Sequence, residues 1–169
     1  MAWTDPTERA TGFLVTAAVY NADLVDNLKF LHGAPSAGVD RGSGLSIASV
    51  TDTDYTFTGT AWDNDSMVNL GSATAPITCP VAGVYTISAW VRWAANVTGR
   101  RVISIYIAGT LRAQESDQAL TTGDAHHQVV AIQFKAAAAD AVKLVVNQSS
   151  GGALNIDNAA MAATWISSG

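Results

Sequence analysis

The sequence predicts an all-β fold, an antiparallel sandwich of about 8 to 10 strands, with a short helix on an N-terminal arm. Runs of strict apolar and polar alternation carry the β prediction, together with turn residues that separate them at regular spacing. A single segment whose apolar residues recur every three or four positions sets the helix apart.

That segment lies in "GFLVTAAVYNADLVDNLKFLHG", residues 12–33. From Thr16, a capping residue, Val19, Tyr20, Leu24, Leu28 and Leu31 share one helical face, and Gly33 with Pro35 ends the helix, giving a predicted span of about 16–31. A helix this short is marginal in water by itself, so its apolar stripe calls for a partner surface. The following "GAPSAGVDRGSG", rich in Gly, Ser and Pro, reads as a linker or surface loop. The expected organisation is an arm over 1–43 and a head over 44–169.

Within the head, "VYTISAWVRW" alternates most clearly. Tyr85, Ile87, Ala89, Val91 and Trp93 share one face, which sends Trp90 to the other. "RVISIYIAG", "HQVVAIQF" and "AVKLVVNQ" repeat the pattern, and shorter strands are expected at "SIASV", "YTFTG", "MVNLG", "ALNI" and "MAATWI". "FKAAAADAVKL" holds four alanines that favour a helix, but its place between two alternating runs predicts a tight connection instead.

Composition narrows the function. The chain has 169 residues, enough for one core plus an appendage, and only 14% are charged where about 25% is usual. Part of its surface is therefore expected to be covered by other subunits. A net charge of -5 argues against nucleic acid, whose phosphates require a basic footprint. No run approaches a membrane span and "MAWTDPTERATG" lacks a basic region followed by an apolar run, so synthesis in a cytoplasm without export by that route is expected. The sequons at Asn96 and Asn147 then carry no meaning.

The ordered motifs bring a resemblance. "ITCPVAGVYTISAWVRW", "RRVISIYIAG", "AAADAVKLVVNQSSGGALNI" and the terminal "AAMAATWISS" resemble the globular head of the C1q and tumour necrosis factor superfamily. Pro80, Gly83 and Tyr85 match its Pro-x-x-Gly-x-Tyr strand, and Asp140, Val142 and Leu144 its Gly-Asp-x-Val-x-Leu strand. Ala139 stands where the family usually has glycine, and Trp165 where it usually has phenylalanine. The resemblance implies a jelly-roll homotrimer, with Trp90 facing a partner subunit or a covering strand.

The N-terminal pattern, with Trp3, Gly12, Val15 to Ala18, Asn21, Leu24, Asp26, Asn27, Phe30 and Leu31, resembles a leader on virion structural proteins of tailed bacteriophages. It implies that Val19, Tyr20, Leu24, Leu28 and Leu31 dock the chain to a particle or to its own trimer mates.

Catalytic and metal chemistry find little support. Cys79 is the only cysteine and reads as a small buried hydrophobe. Asp52, Asp54, Asp63 and Asp65 are oxygen ligands without the glycine turn and bidentate carboxylate of a calcium loop. His126 and His127 are neighbours on a strand and point to opposite faces. Spacing alone leaves open that Glu115 and Asp117 meet other carboxylates in space as a glycoside-cleaving pair, but nothing else in the sequence supports it, and no nucleophile elbow, P-loop or zinc motif occurs. The expectation is a non-enzymatic virion protein without cofactor or metal, either a minor tail or tail-tip protein or a capsid decoration protein. Its expected partners are two further copies, major capsid or tail proteins and a host-surface receptor, with no nucleic acid and no membrane. The alternative is a soluble lectin-like module binding carbohydrate or protein, for which Trp62 is the good exposed aromatic.

Overall fold

The computed structural model describes residues 7–169, so Trp3 of the leader pattern lies outside the described residues. The chain begins with helical segments α1 (Ala17–Tyr20), a π-helical stretch Asn21–Val25 and α2 (Asp26–His32). Their junction residues all have helical backbone angles, so 17–32 is one helix with a π-turn inside it. Thr16 caps it, its hydroxyl accepting from the Val19 N–H at 3.3 Å.

Eleven strands follow: β1 (Ser36–Arg41), β2 (Leu45–Ile47), β3 (Thr53–Asp54), β4 (Gly59–Asn64), β5 (Ile77–Thr78), β6 (Gly83–Trp93), β7 (Arg100–Ile107), β8 (Thr110–Gln118), β9 (His126–Ala136), β10 (Ala141–Gln148) and β11 (Leu154–Ser167). They make two antiparallel sheets, one in the order β4-β1-β11-β6-β9 with β2 also on β11, the other β3-β10-β7-β8 with β5 also on β10. This is an antiparallel jelly-roll sandwich. Its core lies between the sheets and takes Tyr85, Ile87, Val91, Trp93, Ile103, Ile105, Ile107, Val142, Leu144 and Val146, all fully buried.

The family-like glycine has a steric reason. Gly83 sits at φ +153, and a Cβ there would overlap the Trp165 indole and the Ser167 carbonyl. Two residues on, the Tyr85 hydroxyl donates to Val81 O at 2.9 Å and ties the strand to the turn before it. In β11 the register shifts between Ile156 and Asn158. That bulge changes the alternation by one residue, so Ile156 and Ala159 both reach the core although three positions apart. "ALNI" and "MAATWI" are thus one strand.

The linker reading of 33–44 is corrected. Ser36 to Arg41 form β1, paired on both sides, because Ala37 and Val39 alternate with Ser36, Gly38 and Asp40 and are fully buried. Small side chains hid that alternation. Two edge strands, β4 and β8, were also unexpected, being largely polar and exposed. "YTFTG" supplies buried Tyr55 and Phe57 from an irregular segment, and "MVNLG" makes only an isolated bridge, Val68 with Ile77. The alanine run behaves as predicted. β9 ends at Ala136, the Asp140 carboxylate accepts from Ala137 N–H at 2.8 Å, and Ala139 takes φ +68.

Candidate assembly interface

Residues opposite one another in antiparallel strands project to the same side. On the outer face of the first sheet this produces three cross-strand rows. The first joins Asn64, Ser36, Thr164, Thr86 and Gln133; the second joins Trp62, Gly38, Ala162, Ser88 and Ala131. The third joins Gly59, Asp40, Ala160, Trp90 and Val129. Asp40 is the single charged side chain in these rows. The middle of the sheet therefore shows water a plane of small and uncharged groups, broken by two tryptophans.

Trp90 is 39% exposed on this face, opposite to Tyr85, Ile87, Val91 and Trp93, as the alternation of β6 requires. Trp62 lies on β4 rather than in a loop, and its ring covers Gly38, where any Cβ would overlap it. Between the two indoles runs a groove of about 380 Å³, floored by Gly38, Ser88, Ala160 and Ala162 and bordered by Asp40. Side chains no larger than alanine or serine on the central strands are what leave this hollow. The sequence reading found Trp90 through its alternation, but Gly38 and Ala162 carried no signal without the pairing of β1 with β11.

A second apolar surface lies on the helix. Tyr20, Leu24, Leu28 and Leu31 are about half exposed and Val19 is partly buried. The helix docks on the head through a different face, with Asn27 and Phe30 buried and the Phe30 ring edge-on to Trp165, centroids 4.8 Å apart. Covering Phe30 contributes roughly 2 kcal/mol, and the leucine stripe is left facing solvent.

The candidate chemical groups are engaged elsewhere. Asp52 accepts from the Asn147 amide at 2.7 Å and Asp54 from Lys143 at 2.7 Å, while the Asp63 carboxylate takes the backbone N–H groups of Met67 and Val68. Among the described residues no three His, Cys, Asp or Glu side chains gather where they could hold a metal. Glu115 accepts from the Val129 N–H at 2.8 Å, and Asp117 lies 3.3 Å from buried His126; both close the edge where β8 meets β9. His127 points the other way, beside Arg92 on the outer face. Cys79 is fully buried, and burial with Asp140 nearby pushes its thiol up to about 12, so it is no nucleophile at neutral pH.

Among the described residues, the buried arginine Arg101 has a structural task. Arg101 donates to Thr98 O (3.0 Å), Arg100 O (3.2 Å) and Asn96 O (3.3 Å), and burial pushes its pKa down. Beside it Trp93 Nε1 donates to Gln128 Oε1 at 2.8 Å, and the Gln128 amide donates to Arg101 O. These bonds clasp the loop after β6 to the start of β7.

No family model and no curated protein sequence matches the chain. Solved structures do match. The PRD1 vertex protein P5 is 16% identical with a TM-score of 0.60, over 78% of this chain and 96% of that one. The Eiger TNF of S. frugiperda is 10% identical with a TM-score of 0.57, over 80% and 95%. The globular domain of the zebrafish complement 1qA protein is 15% identical with a TM-score of 0.56, over 78% and 96%. At these identities the likeness establishes the fold.

Proposed function

We propose that this chain is a non-catalytic structural component of a bacteriophage virion, a homotrimer of jelly-roll heads held to the particle by its N-terminal arm. The observation that carries the assembly is the outer face of the first sheet, whose rows around Trp62 and Trp90 hold one charge, Asp40. Burying Trp90 alone there contributes roughly 2 to 3 kcal/mol per subunit. The virion role draws support from the likeness to a phage vertex protein over nearly its whole length and from the leader-like N-terminus. Among the described residues no helix is long and apolar enough to cross a membrane.

Attachment is assigned to the exposed stripe of Tyr20, Leu24, Leu28 and Leu31. The deciding experiment adds protein to particles that lack it and measures copies bound. Wild type is expected to saturate the particles, whereas Leu24→Asp with Leu28→Asp stays trimeric and folded but unbound, because a charge is not cheaply desolvated. Equal binding by that variant rejects the helix as the anchor. The copy number also separates the two virion roles, hundreds for a capsid decoration protein and a handful for a minor tail protein.

A further inference from the structure

We infer that the docking element begins ahead of the helix: residues 9–15 form a hook, clamped by Arg9, that presents Phe13, Leu14 and Val15 to an apolar recess of the particle protein that receives the leucine stripe. This rests on the attachment reading above. Residues 7–15 lie outside every helix and strand, yet they hold a defined course. The Phe13 N–H donates to Ala10 O at 3.1 Å across a tight turn. Gly12, the third residue of that turn, takes φ +83, a left-handed angle that glycine adopts without strain. The chain then returns along the helix. The Arg9 guanidinium meets the Asp23 carboxylate at 2.9 Å, well past the Thr16 cap, and lies 5.0 Å over the Phe13 ring.

The hook holds three apolar side chains in water. Leu14 is 79% exposed, Val15 60% and Phe13 44%. Val15 directly precedes the Thr16 cap and Tyr20 is the fourth residue after it, positions that lie side by side at a helix start. The exposed knuckle is therefore continuous with the stripe, which begins at Tyr20. Leu14 offers more surface to cover than any leucine of that stripe, the most exposed of which is Leu28 at 57%. Arg9 is the only charged residue of 9–15, and its charge is met by Asp23, so the knuckle suits an apolar, uncharged recess. Folding the hook before attachment lowers the ordering cost of binding. Both partners of the ion pair remain partly exposed, so Arg9 biases the hook without locking it and acts as a positioning residue.

Clamp and contact are tested separately. In the free protein, trypsin is expected to cut after Arg9 about threefold faster in Asp23→Ala than in wild type, because pairing withholds the guanidinium from the protease. Equal rates overturn the clamp. On particles that lack the protein, Leu14→Asp is expected to weaken binding by about tenfold or more, with trimer mass and Tm unchanged. Arg9→Glu is expected to weaken it by about threefold to fivefold, largely recovered when Asp23→Arg is added. A double variant that stays weak also overturns the clamp. Leu24→Asp with Leu28→Asp serves as the reference. If that variant loses binding while Leu14→Asp binds as wild type, the knuckle is overturned and the helix remains the anchor. If both bind as wild type, both readings fall. A Leu14→Asp protein that no longer forms trimers assigns the knuckle to a second copy and overturns its docking on the particle.

Discussion

The indole of Trp62 lies over Gly38, so close that no Cβ fits between them. These two residues, 36 and 64 being paired just beyond them, fix how β4 closes the edge of the first sheet. Gly38→Ala is expected to lift the ring from the sheet and cost about 1 to 3 kcal/mol, seen as a lower Tm and altered tryptophan fluorescence. Trp62→Ala in the same background is expected to recover part of the loss, because the clash is then gone.

The two faces of the helix predict opposite outcomes. Phe30→Ala removes the ring that packs on Trp165 and is expected to lower stability by about 3 kcal/mol, with faster proteolysis within 17–32. Leu28→Ala, on the exposed stripe, is expected to change the Tm by less than about 0.5 kcal/mol's worth.

Two turns leave room for improvement. Ala108 (φ +49) and Gly109 (φ +75) connect β7 to β8 as a two-residue hairpin turn of the type that favours Asn-Gly, and Ala139 (φ +68) occupies a left-handed position. Ala108→Asn and Ala139→Gly are each expected to stabilise by roughly 0.5 to 1 kcal/mol, since alanine is strained there. Denaturant midpoints check this, and a lower midpoint contradicts it.

Stability is expected to fall at alkaline pH. Burial raises Cys79 and Tyr55 to about 12 from ordinary values of 9.0 and 10.0, and raises Tyr85 as well. Between pH 9 and 12 the unfolded chain loses these protons while the folded chain keeps them, so rising pH favours unfolding. Below about pH 8 the groups are protonated in both states and contribute no slope. Thermal melts from pH 8 to 11 measure the effect, and Cys79→Ala is expected to flatten its lower end.

Chelator is expected to leave the Tm unchanged, because Asp52, Asp54 and Asp63 already have protein donors. A drop of several degrees requires a structural ion.

What sequence revealed followed from side-chain size. β6, β7, β9 and β10 alternate large apolar residues with polar ones, and each was legible. β1 alternates alanine and valine with serine, glycine and aspartate, so its burial depends on strands far away in the chain. β8 is an edge strand whose outward residues tolerate any polar group, which removes the pattern altogether. At the candidate interface Trp90 was legible from its own strand, whereas Gly38, Ala160 and Ala162 acquire meaning only when β1, β11 and β6 lie side by side. Deleting everything before Ser43 would remove β1 from the middle of its sheet, so truncations that keep the head must begin near Ala34.

The short path from helix to sheet has a mechanical consequence. Only Gly33, Ala34 and Pro35 separate α2 from β1, and β1 is hydrogen-bonded on both flanks, to β4 and to β11. Antiparallel ladder bonds lie perpendicular to the strands. A pull on the helix along β1 therefore loads those bonds together, in shear, rather than opening them one at a time. Force on an attached head would be carried by the centre of the fold, without a slack tether to take up the strain.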